Sequence, residues 1–280
     1  MGKNNLNDPL CKQFIPTKNE KYFTPGFHLD PVSDREFQQG EKLLQKYQGR
    51  ALLLTTGGCA MNCRFCFRQN FPYETKRPGF NPEIATISKN TSLSEIILSG
   101  GDPLALDDLI LQGLLQKLSD IPHIQRIRFH TRFPIGIPER IDDSLLSILE
   151  KCTKQIFFTL HVNHLQEMDA EIFERLKNIQ KLGIPILSQT VLLKGVNDDF
   201  YTLKNLFENL ANHGILPYYL HQLDPVQGAA HFAVEKKIGI ALIEKLKNSL
   251  SGYAIPRYVC EIAGNPSKTE ILHPIHGFNT

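Results

Sequence analysis

The sequence predicts an α/β fold, a partial (β/α)6 TIM-like barrel with an irregular N-terminal extension and a short C-terminal segment. Two observations predict it. Short apolar runs alternate six times with amphipathic stretches of helical length, the pattern of a parallel sheet with right-handed crossovers. Polar and special residues gather where those runs end, and α/β barrels and open α/β sheets both carry their sites at the C-terminal ends of their strands. A chain of 280 residues suits one domain of barrel size.

Residues 1–50, rich in Pro, Asp, Lys and Gln, read as an extension packing on the barrel, with one short helix. Strands are expected at 51–56, 95–99, 126–130, 155–161, 185–192 and 216–220, with helices near 105–119, 139–150, 167–181, 200–213 and 232–250. Leu109, Leu111, Leu114, Leu115 and Leu118 are expected to form one apolar helix face. The barrel then covers 51–250 and the C-terminal segment 251–280. The strand ends carry Cys59, Cys63 and Cys66, then Gly100-Gly101-Asp102-Pro103, His130-Thr131-Arg132, His161-Val162-Asn163-His164, Gln189, and Gln222-Leu223-Asp224.

Composition narrows the function. A net charge of +2, from 31 basic and 29 acidic residues, gives no electrostatic case for nucleic acid or membrane binding. The polar N-terminus has no signal-peptide pattern, and no run approaches the roughly 18 apolar residues of a membrane span. A cytoplasmic location is expected, where cysteines stay reduced and a tight cluster reads as metal-binding. Cys11, Cys152 and Cys260 are scattered and read as small buried hydrophobes.

Cys59-Ala60-Met61-Asn62-Cys63-Arg64-Phe65-Cys66 places three thiols on one loop. A closed zinc site or an ordinary four-iron cluster takes four protein ligands. Three leave a coordination position open for a substrate or cofactor. Zinc with a fourth ligand from elsewhere, and three merely buried thiols, are the alternatives.

After a first barrel strand, this CxxxCxxC loop resembles the radical S-adenosylmethionine superfamily, which implies a barrel of the radical SAM type. There the thiolates hold a [4Fe–4S] cluster whose open iron binds S-adenosylmethionine, and one electron from the cluster releases a 5′-deoxyadenosyl radical. Ser99, Gly100, Gly101 and Asp102 resemble the segment whose backbone contacts the methionine amino group, where a missing Cβ lets main chain approach a ligand. Gln189 and His161 match positions near the cofactor's ribose and carboxylate; packing within the barrel is the competing account.

Longer stretches resemble lysine 2,3-aminomutases: Cys66-Phe67-Arg68, Ile97-Leu98-Ser99-Gly100-Gly101-Asp102, Leu193-Lys194-Gly195-Val196-Asn197-Asp198 and Pro217-Tyr218-Tyr219. Asp224-Pro225-Val226-Gln227-Gly228 and Gly264-Asn265-Pro266-Ser267-Lys268-Thr269 are closest to the short enzymes that supply β-lysine for modifying elongation factor P. The likeness implies pyridoxal phosphate carried on Lys268, with Tyr47 and Arg50 at its phosphate. It implies Arg68 on the substrate carboxylate, and Asp224 and Glu261 on the distal ammonium of lysine. Enzymes acting on free lysine carry Asp at the Glu261 position. The elongation-factor branch carries Glu, as here.

Two rivals remain. One is a related radical enzyme acting on another amino acid, although acidic residues at 224 and 261 oppose an acidic side chain. The other is a non-catalytic iron–sulfur or zinc protein. The resemblance names neither the electron donor nor the product enantiomer, and it leaves open a homo-oligomer and any metal role for His273 and His276.

Overall fold

The computed structural model describes residue 5 and residues 7–73 and 79–272. Its helices are α1 (Pro9–Phe14), α2 (Asn81–Lys89), α3 (Asp108–Ser119), α4 (Phe133–Gly136), α5 (Asp143–Glu150), α6 (Ala170–Lys181), α7 (Phe200–Asn212) and α8 (Lys236–Lys247). Its strands are β1 (Leu43–Tyr47), β2 (Arg50–Thr56), β3 (Glu95–Gly100), β4 (Arg126–Thr131), β5 (Gln155–His161), β6 (Ile186–Leu192), β7 (Ile215–Gln222), β8 (Arg257–Cys260) and β9 (Thr269–Glu270).

The nine strands form one sheet in sequence order. The pairs from β2 to β8 are parallel, and β1 and β9 add antiparallel strands at the two ends. The sheet is open, a partial barrel as expected. All six predicted strands are present, and β1, β8 and β9 extend them. In β4, Ile127 and Phe129 are fully buried beneath the helices, while His130 faces the lumen. Phe129 stacks on Phe158 of β5 at 4.9 Å.

Aspartates start most of the crossover helices. Asp107, Asp142, Asp169 and Asp199 each accept a backbone N–H in the first turn of α3, α5, α6 and α7. Such a cap is worth about 1 kcal/mol. Helix α3 buries Leu111, Leu114, Leu115 and Leu118, but Leu109 is 79% exposed. Two residues before Leu111, Leu109 lies about 200° round the helix from it, on the solvent side.

A second apolar cluster lies under the cysteine loop. Phe65 packs with Leu193, Leu223, Val226 and Phe232, joining that loop to the segments after β6 and β7.

Candidate active site

All fifteen candidate residues line one cavity of about 610 Å³ at the C-terminal ends of the strands. The cysteine loop follows β2. It is held from the N-terminal stretch through Arg64, which pairs with Glu20 and donates to the Lys12 carbonyl at 2.6 Å. Cys59 is exposed, and Cys63 and Cys66 are half-buried. Burial, then the charges of Asp102, Cys66 and Cys63, push the Cys59 thiol up to about 12. Burial likewise raises Cys66. Cys59 and Cys66, whose ionisation burial hinders, and Cys63 between them on the same loop suit a cationic metal group, which takes cysteines as thiolates. Among the described residues, no three His, Cys, Asp or Glu side chains converge on a single metal ion.

The Gly100-Gly101 turn is packed against the start of that loop. A Cβ on Gly101 would lie 2.1 Å from the Gly58 carbonyl oxygen, and one on Gly100 would lie 2.6 Å from that of Thr56. Gly100 also has φ +125°, a conformation side chains resist. The Tyr73 hydroxyl donates to the Gly100 carbonyl at 2.9 Å. The Asp102 carboxylate is occupied within the protein. It accepts the N–H groups of Leu104, Arg132 and Phe133 and the Thr131 hydroxyl, at 2.7–3.0 Å. Burial pushes its pKa up to about 6 against those bonds. Asp102 thus shapes the turn, and the glycine backbone is what faces the cavity.

Deeper in the cavity the charges form a chain. Arg68 donates from Nε to Asp34 at 2.6 Å and from Nη1 to the Ser99 hydroxyl at 3.3 Å. Asp34 also pairs with Lys46 at 2.7 Å. Lys46 lies 3.6 Å from Glu261, which pairs with Lys268 at 2.7 Å and accepts the Tyr47 hydroxyl at 2.7 Å. Burial opposes ionisation of Asp34 and Glu261. Arg68 and Lys46 overcome it for Asp34, and chiefly Lys268 does for Glu261, so both carboxyls sit below their usual range.

Asp224 differs from both. Among the described residues its carboxylate makes no hydrogen bond or ion pair, and burial lifts its pKa to about 6 despite Lys268. It is the carboxyl left for an incoming cation. The Arg50 guanidinium stacks on the Tyr47 ring at 4.5 Å, at the hairpin turn joining β1 to β2.

His161 lies beside His130, with ring centroids 5.7 Å apart. The Nε2 atoms of His130, His161 and His221 are buried without a protein partner among the described residues. Burial holds all three rings neutral, His161 at about 3. Gln189, on the neighbouring strand, is 7% exposed at the cavity wall.

Several site residues escaped the sequence reading. Asp34 and Lys46 lay in a segment read as irregular. His130 and Arg132 stand at a predicted strand end with no role implied, and His221 falls between the predicted strand 216–220 and the Gln222-Leu223-Asp224 motif. Gln13 carried no signal. His273 and His276 lie outside the described residues.

Comparisons with known proteins place the chain in a family. Residues 53–207 match the Radical SAM superfamily. An L-lysine 2,3-aminomutase of Escherichia coli (strain K12) is 42% identical over 274 residues, 97% of this chain and 80% of that protein. One from Haemophilus influenzae (strain Rd) is 40% identical over 271 residues, 95% of this chain and 80% of that protein. A solved structure of native anSMEcpe with bound AdoMet and a peptide superposes with a TM-score of 0.54 at 12% identity. It matches over 70% of this chain and 58% of that one, a likeness of fold. The chain belongs to the radical SAM superfamily and, within it, to the lysine 2,3-aminomutases, a family of isomerases.

Proposed function

We propose that this protein is a radical SAM, pyridoxal phosphate-dependent lysine 2,3-aminomutase that converts L-α-lysine to β-lysine in the cytoplasm for modification of elongation factor P. The observation that carries the reading is the single cavity holding the cysteine loop, the glycine turn and the charged chain ending at Lys268. Cys59, Cys63 and Cys66 hold the [4Fe–4S] cluster. The backbone of Ser99, Gly100 and Gly101 receives S-adenosylmethionine, flanked by His161 and Gln189. Lys268 anchors pyridoxal phosphate, and Tyr47 and Arg50 stand at its phosphate.

When bound, the cluster and S-adenosylmethionine supply a radical, fed by an external one-electron donor, and pyridoxal phosphate supplies conjugation for the migrating nitrogen. The protein's own work is positioning. Arg68 holds the substrate carboxylate, with Asp34 fixing its guanidinium. Asp224 takes the distal ammonium, aided by Glu261 once Lys268 turns to the cofactor. An acidic substrate side chain would meet two carboxylates in a confined space, which disfavours substrates of the glutamate type.

Anaerobically reconstituted protein given reductant, both cofactors and lysine should make β-lysine. Cleavage of S-adenosylmethionine with no β-lysine would sink the aminomutase reading. Lys268→Ala should also lose the visible absorbance of bound pyridoxal phosphate, and retention of that band would remove the proposed anchor.

A further inference from the structure

Arg132 follows Thr131 at the end of β4, and its side chain is 9% exposed. Its Nη1 donates to the Cys63 sulfur at 3.0 Å. Its Nη2 pairs with Glu167 and donates to the Gln13 side-chain carbonyl at 2.7 Å. The guanidinium lies 4.8 Å from the Phe14 ring and 5.5 Å from the Phe65 ring. Its Nε–H is buried without a protein partner among the described residues.

The partners are themselves fixed. Gln13, on α1, has no exposed surface; its amide donates to Glu167 at 3.0 Å and accepts from Asn163 at 2.9 Å. Glu167 also accepts the backbone N–H groups of Asn163 and His164 at 3.0 and 2.9 Å. The fork therefore cannot swing away, and one arm of it ends on a sulfur.

We propose that Arg132, clamped by Gln13 and Glu167, sets the reduction potential of the iron–sulfur cluster through its contact with Cys63. The proposal rests on the reading of Cys63 as a cluster ligand. One-electron reduction adds one negative charge to the cluster and its thiolates. A cation donating an N–H to a ligand sulfur stabilises that charge, so it raises the potential. Glu167 offsets part of the cation's field but pairs with Nη2, while Nη1 is the nitrogen on the sulfur. The N-terminal helix, through Gln13, thereby takes part in redox control. An arginine that only braced the loop would change stability and leave the potential alone.

The test uses the full chain, reconstituted anaerobically without lysine. Iron content and a redox titration followed by electron paramagnetic resonance are read for wild type, Arg132→Lys and Arg132→Gln/Glu167→Gln. The double variant removes cation and anion together, leaving no lone buried charge. Its midpoint should fall, giving about tenfold less reduced relative to oxidised cluster at the wild-type midpoint, ~59 mV for one electron. Arg132→Lys keeps the charge and loses the fork, so its shift should be smaller and of the same sign. A loaded double variant with an unchanged or higher midpoint would overturn the proposal. If the double variant takes up no iron, an unchanged midpoint in Arg132→Lys does so, and a lowered one upholds it. Full iron content in Cys63→Ala would instead overturn the ligand reading beneath it.

Discussion

Single residues in this cavity act through shared partners. Asp34, 1% exposed, pairs with both Arg68 and Lys46, so removing it leaves the buried Arg68 guanidinium without a carboxylate and Lys46 with only Glu261, 3.6 Å away. Breaking a buried pair by deleting one partner costs about 3–5 kcal/mol. Asp34→Ala should therefore lower the urea midpoint sharply, and adding Arg68→Gln should restore part of the loss. Additive losses would show that Asp34 and Arg68 are not coupled. Arg68, Asp224 and Lys268 can be singled out from the sequence because each stands in a motif resembling the family's, and Glu261 because it matches a family position. Asp34 and Gln13 cannot, because their partners lie 34 and 119 residues away along the chain and no spacing rule connects them.

Elements were legible in proportion to their length and periodicity. The six predicted strands and the leucine-rich α3 carry strong patterns. Strand β1 has Gln45 and Lys46 in a five-residue run, β8 has four residues, and β9 has two. Helix α2 starts at Asn81-Pro82 with only Ile87 as a buried aliphatic residue, so no stripe betrays it. The contact between the glycine turn and the cysteine loop belongs to this scale too, since it needs β2 and β3 in register. Gly101→Ala cannot be absorbed by a side-chain movement, because its Cβ would meet backbone. This variant should bind S-adenosylmethionine at least tenfold more weakly by titration and should take up less iron. Wild-type values for both would show that the turn tolerates a side chain.

The whole molecule gives up stability to hold an apolar-walled polar chamber. His130, His161 and His221 are kept neutral inside it by burial. In the unfolded chain they protonate near pH 6.5. Below that pH the unfolded state binds more protons than the folded one, so stability falls with pH through that range and on towards about 3, where His161 protonates. Urea midpoints should decline from pH 7 to pH 5. His221→Gln should flatten the decline by up to about 1.4 kcal/mol per pH unit. A slope identical to wild type would show that His221 titrates alike in both states.

The hydrogen bond from Tyr47 to Glu261 spans 214 residues. During synthesis, the cysteine loop and glycine turn leave the ribosome within the first 102 residues, together with the strands that bear them. The pocket around Asp224, Glu261 and Lys268 waits for nearly all of the rest. Such distant pairings form slowly and late. The cysteine loop and glycine turn are thus available early in the life of each molecule, and the pocket proposed to choose an amino acid is assembled last.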